Sequence, residues 1–168
     1  MIKYCVDTNA ILDLCYRYYP PDLFRDLWGS IGDSILSRQI TLLISQHIHD
    51  EVVERITLMN YVPQVFEDFL IKFKVVTIAK TTYEIELAQL QAELLDITPL
   101  SSSIAKNADD LSNICVAKLN SATIITAEQG SQLSITDKGY NRLKIPDTCQ
   151  HYNISCHNWL PLFIYIGL

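Results

Sequence analysis

Four acidic residues stand where they could act together. Asp7 directly follows the apolar run Ile2-Lys3-Tyr4-Cys5-Val6, and Glu128 closely follows Ala122-Thr123-Ile124-Ile125-Thr126. Both runs are short and β-prone, so these two acids fall just past the carboxyl ends of strands, the edge where open α/β sheets bind ligands. Glu51 lies in the second turn of a helix expected from His47 to Met59, and Asp110 opens an acidic-then-apolar helix from Asn107 to Leu119. Carboxylates converging at one sheet edge repel each other, and no lysine or arginine occurs in the same motifs. Such a cluster is tolerable with raised pKa values or a bound cation. Oxygen-only donors suit Mg²⁺ or Mn²⁺, whose usual work beside carboxylates is phosphate chemistry.

Each acid also has a plainer reading. Asp7 and Glu128 could be turn or capping residues, Glu51 a partner of its helix dipole, and Asp109 and Asp110 helix caps. Glu54 is a rival acid on the Glu51 helix. It is the recurrence of the strand-tip placement that sets the group apart.

The elements that must position these acids are legible from periodicity. After Asp7, a helix over Ala10 to Tyr16 can be capped by Thr8 or Asn9. Tyr18-Tyr19-Pro20-Pro21-Asp22 then breaks the chain, and Asp22 can cap a second helix carrying Leu23, Phe24, Leu27, Trp28, Ile31, Ile35 and Leu36. Gln39 to Ile44 reads as a strand, with Ser45 as N-cap of the next helix, whose Ile48, Val52 and Ile56 share a face. A helix over Tyr61 to Phe73, a strand over Lys74 to Ile78 and an amphipathic helix over Thr81 to Leu95 follow. Ile97 to Ser103 reads as a loop, Arg142 to Ile145 as a last short strand, and Pro146-Asp147 as a turn. Tyr16, Tyr18, Tyr19, Phe24 and Trp28 could stack on bases, but core packing explains them more simply.

The 168 residues suit one domain over 1–168, with 49% hydrophobic and 19% charged residues marking a globular chain. A net charge of -6 argues against a broadly basic nucleic-acid surface. It does not exclude a nucleic-acid substrate, because metal-loaded carboxylates present positive charge to a phosphate. Five cysteines, three of them in apolar runs, and an N-terminus without signal-peptide character point to free thiols in a reducing cytoplasm. The apolar C-terminal stretch from Trp159 is too short to span a bilayer, so no membrane association is expected. Cys149, His151, Cys156 and His157 lack the ordered spacing of a zinc module. No phosphate-cradling glycine loop or GxSxG-type nucleophile motif occurs.

Taken in order, Val6-Asp7-Thr8-Asn9, Ser45-x-x-Ile48-x-x-Glu51-Val52, Asp110 ahead of an apolar helix, and Ile124-Ile125-Thr126-Ala127-Glu128 resemble the motifs of the PIN-domain nucleases. The stretches Tyr18 to Asp22 and Lys144 to Cys149 look like a less studied bacterial and archaeal branch. The resemblance implies a three-layer α/β/α sandwich with a central parallel sheet and a metal-dependent endoribonuclease, often the toxin of a toxin–antitoxin pair. By position, Asp7, Asp110 and Glu128 would hold Mg²⁺ or Mn²⁺, Glu51 would complete the catalytic acids, and Asn9 and Thr126 would support them. RNA would be the substrate, with an antitoxin protein and a second copy in a homodimer as partners. Two features depart from the family pattern: Glu128 stands where many members have Asp, and Asp109 adjoins Asp110 as the reserve third acid.

Two other readings compete. A phosphatase or receiver-like domain could use Asp7 as phosphate acceptor, but Asn9 stands where a haloacid-type phosphatase would want a second Asp. A catalytically degenerate PIN-like module could bind RNA or protein without cleaving it; loss of an essential acid would favour it, and all four can be assigned here.

Overall fold

Alternation along the strands determines the layers. In the computed structural model, which describes residues 1–37, 40–97, 108–131, 134–137 and 143–168, β1 (Ile2–Val6) sends Tyr4 and Val6 into one core and Cys5 into another. β2 (Ile40–Ser45) does the same with Leu42 and Ile44 against Leu43, and β4 (Thr123–Ile125) with Ile125 against Ile124. Side chains of successive strand residues point to opposite faces, so a sheet buried on both sides reads as a continuous apolar run. The sheet order is β3-β2-β1-β4-β5, with β3 at Val76–Ile78 and β5 at Cys156–His157, and every pairing is parallel. This is the three-layer α/β/α arrangement with a central parallel sheet.

The helices divide between the faces. α1 (Thr8–Leu12), α2 (Arg25–Ser37), α3 (Gln46–Leu58), α4 (Pro63–Lys72) and α8 (Trp159–Ile166) bury their apolar sides in the core of Val6 and Ile44. α5 (Lys80–Ile97), α6 (Ala108–Asn120) and α7 (Ile145–His151) pack on the core of Cys5 and Leu43. Trp28 is buried in the first core, while Tyr16 stacks on Tyr61 with ring centroids 4.5 Å apart. These aromatics are packing groups. α1 runs on as a π-helical turn, Asp13–Arg17, so that Tyr18 and Tyr19 both donate to the Asp13 carbonyl.

Several elements differ from their sequence expectations. The helix expected after Asp22 begins at Arg25, because Leu23 and Phe24 donate to the Pro20 carbonyl in a turn and stay exposed. The strand expected over Arg142 to Ile145 is not formed at its end: Ile145 opens α7, and Arg142 lies outside the described residues. Pro146 and Asp147, read as a turn, sit in the first turn of that helix, where a proline loses no hydrogen bond. Most of the loop expected from Ile97 to Ser103 also lies outside the described residues, Ile97 itself closing α5. β5 and α8 have no counterpart among the elements that periodicity predicts.

α8 closes the first core through Trp159, whose indole N–H donates to the Ala10 carbonyl at 2.8 Å. Trp159→Ala removes this bond and a large buried ring together. It is expected to cost about 3–5 kcal/mol, read as a lowered midpoint in urea unfolding.

Candidate active site

The strand order reverses direction between β1 and β4, and the loops leaving these two neighbours diverge at their carboxyl ends. That switch point is where open α/β sheets accept ligands. Asp7 leaves β1 there, its N–H still donating to the Ile125 carbonyl at 2.9 Å and its own carbonyl accepting from Ile11 of α1. Although it occupies the N-cap position, its carboxylate caps nothing. Instead it is 2% exposed and accepts from the Thr126 hydroxyl at 3.0 Å. The same hydroxyl accepts the Glu128 N–H at 3.1 Å, which fixes the direction in which it donates.

Glu51 arrives from the second strand. Ser45 ends β2 and accepts the Ile48 N–H at 3.0 Å, starting α3 and placing Glu51 in its second turn. There the Thr8 hydroxyl donates to Glu51 Oε2 at 2.5 Å, and Arg55 approaches the other oxygen at 3.4 Å. Asp109 and Asp110 lie in the first turn of α6, which is tied to the start of α3 by the Ser45–Ser112 hydroxyl pair at 2.6 Å. Glu128 is engaged at both oxygens: Lys144 Nζ lies 3.1 Å from Oε1, and the Ile145 N–H donates to Oε2 at 2.9 Å.

The charges of these groups act on one another. Burial, then the neighbouring Glu128 and Glu51, raise the Asp7 pKa to about 7, against the lowering effect of the Thr126 hydrogen bond. Burial also raises Asp110, with Asp7, Glu128, Glu51 and Asp109 adding to the effect, to about 8. Asp109 is raised chiefly by burial and then by Glu51. Asp7, Glu51, Asp110 and Glu128 therefore share one electrostatic neighbourhood.

Asn9 is turned outward, its side-chain carbonyl accepting from Arg17 at 3.4 Å. Thr8, considered from sequence only as a cap, is the α1 residue that reaches an acid. Lys144 and Arg55 supply positive charge to a cluster expected to have none of its own. Neither was visible in the motifs: Arg55 is an i,i+4 partner of Glu51 on α3, a spacing that favours ion pairs, whereas Lys144 meets Glu128 across 16 residues.

The carboxylate donors suit a hard divalent cation, and the raised Asp7 and Asp110 are the groups such a charge would relieve. Asn113, three residues after Asp110 on α6, is buried with neither amide atom partnered among the described residues. A buried, unsatisfied amide next to an acid cluster fits a site that receives a polar ligand or water. Among the described residues, no three acidic, histidine or cysteine side chains are gathered tightly enough to form a ready ligand set. The donor chemistry fits a cation, and the carboxylates would draw together around it.

Thr126→Val tests the hydroxyl at the centre of this arrangement. It deletes the donor to Asp7 and the acceptor of the Glu128 N–H, so the Asp7 pKa should rise further and stability should fall by about 1–3 kcal/mol. Carboxyl-carbon NMR titration of Asp7 and chemical unfolding read the two effects.

Comparison with known proteins agrees with this architecture. No curated protein matches the chain. Among solved structures, VapBC2 from Rickettsia felis bound to a DNA fragment from their promoter contains a chain that is similar at a TM-score of 0.56 with 18% identity, covering 94% of this chain and 99% of that one. Among the described residues no helix is long and apolar enough to cross a membrane. A PIN-like α/β/α fold is thus established, and the chain belongs to the family described as Domain of unknown function (DUF4411), whose model matches residues 4–164.

Proposed function

We propose that this protein is a metal-dependent endoribonuclease and the toxin of a toxin–antitoxin pair. The observation that carries the reading is the electrostatic coupling of Asp7 and Asp110 to each other and to Glu51 and Glu128 beside the sheet's switch point, where burial and mutual repulsion raise the Asp7 and Asp110 pKa values. A bound Mg²⁺ or Mn²⁺ would supply Lewis acidity and lower the pKa of water at the phosphodiester. Asp7 and Asp110 would hold the ion, and the Thr126 hydroxyl keeps the Asp7 carboxylate in one orientation. Glu51, steadied by Thr8, completes the acidic site from α3. Hydrolysis would break the P–O3′ bond: the oxygen of water joins phosphorus as the 5′-phosphate forms, one proton goes to the departing 3′ oxygen, which leaves as a hydroxyl, and the other is released to solvent.

One structural neighbour is VapBC2 bound to a DNA fragment from their promoter, which supports a small antitoxin as partner of this chain. The proposed assembly is a homodimer of the nuclease, each site covered by antitoxin until release.

The test is to incubate purified protein with structured and single-stranded RNAs in Mg²⁺, in Mn²⁺ and in chelator, and to map the ends. Expected are 5′-phosphate and 3′-hydroxyl ends formed only with metal. Cleavage that persists in chelator and leaves 2′,3′-cyclic phosphates would overturn the reading, because that chemistry uses the ribose hydroxyl.

A further inference from the structure

Glu128 holds a cation of the protein's own. Its carboxylate is 17% exposed and receives the Lys144 ammonium at 3.1 Å, while Lys144 itself is 51% exposed. The other oxygen takes the Ile145 N–H, the first free donor of α7, so a side chain from the end of β4 caps a helix that lies 17 residues further along. Lys144, the N-cap residue, makes no side-chain cap of its own. Its ammonium instead lies at the acid cluster, where Asp110 and Asp147 act on it after Glu128. The extra methylene of glutamate over aspartate lets residue 128 extend towards α7. With both oxygens engaged, Glu128 has poor capacity left for a metal ion.

We propose that Lys144 takes the place of a second divalent cation, positioned by Glu128, and that the site accordingly binds one divalent ion through Asp7 and Asp110. The inference rests on the nuclease reading. A lysine ammonium is a compact point charge with three donors and is a recurrent phosphate ligand. Half-exposed at the rim, it is free to meet a phosphate oxygen on the side away from Glu128. Glu128 is then a positioning residue for the ammonium rather than a ligand of the metal.

Equilibrium Mn²⁺ binding to the full chain tests this, with wild type compared to Lys144→Gln and Lys144→Arg. Lys144→Gln keeps the Ile145 N–H on Glu128 but removes the competing charge, so the variant should stay folded. Wild type and Lys144→Arg are expected to bind one Mn²⁺ per chain. Lys144→Gln is expected to bind a second at Mn²⁺ concentrations at least about tenfold below any at which wild type shows more than one, because a like charge no longer opposes the ion. RNA cleavage by Lys144→Gln should fall about tenfold at low Mn²⁺ and recover as Mn²⁺ is raised, since an ion then fills the vacated position. One ion bound with equal affinity by all three proteins, or two bound by wild type, overturns the inference alone. No Mn²⁺ bound by any of them overturns it together with the nuclease reading.

Discussion

Asp7→Asn is expected to lower metal-dependent RNA cleavage by at least about 10³-fold, while making the metal-free protein more stable at pH 8. The two effects share a cause. Asp7 is buried beside Glu51 and Glu128, and its pKa of about 7 leaves it mostly ionised at pH 8, where its charge has little solvent and a single side-chain donor. Asparagine has the same shape and can still accept from the Thr126 hydroxyl, so the fold loses no packing. It loses the charge that an ion would need and that destabilises the fold when no ion is supplied. Cleavage assays and thermal melts of the same preparation measure both. An Asp7→Asn protein that cleaves at the wild-type rate would contradict the assignment, and one that melts lower at pH 8 would contradict its electrostatic basis.

The second large effect concerns pH and metal together. An ordinary aspartate has a pKa of about 3.9, against about 7 for Asp7 and about 8 for Asp110 in the folded chain. Between these limits the folded state binds more protons than the unfolded state, so stability falls as pH rises. The destabilisation is absent below about pH 4 and fully developed above about pH 8, and amounts to several kcal/mol for the two coupled acids. A divalent cation offsets it. Urea unfolding in chelator should therefore show a midpoint that drops from pH 5 to pH 8. Mn²⁺ should raise the midpoint strongly at pH 8 and little at pH 5. A metal-free midpoint that climbs over this range would mean that the two acids are not buried against each other.

Much of this architecture is legible in the chain because its determinants are local. The runs at Ile2–Val6 and Ile40–Ser45 are continuous and β-rich because both faces of the sheet are covered, and Ser45 caps α3 through a neighbour three residues away. The acids are legible for the same reason: each is identified by the strand or helix it adjoins. What sequence leaves hidden is long-range. Lys144-Ile145 looks extended because its helix is capped by Glu128, not by a residue nearby. β5 has only the two residues Cys156–His157, too few to show alternation, and it exists because β4 offers a free edge. Thr8 reads as a cap, yet its hydroxyl is held by Glu51, 43 residues on. The charge balance of the site follows the same rule, since its lysine comes from outside every motif that supplies an acid.

The most direct test of the account is reversible metal dependence of cleavage at a single mapped RNA bond. Wild type, Asp7→Asn and Asp110→Asn are stripped with chelator, and Mn²⁺ is then titrated back while cleavage of that bond is followed. The account predicts that activity returns to the wild-type protein alone and that both variants remain folded and inactive. Cleavage by wild type that is indifferent to chelator, or restored equally in the two variants, would contradict it.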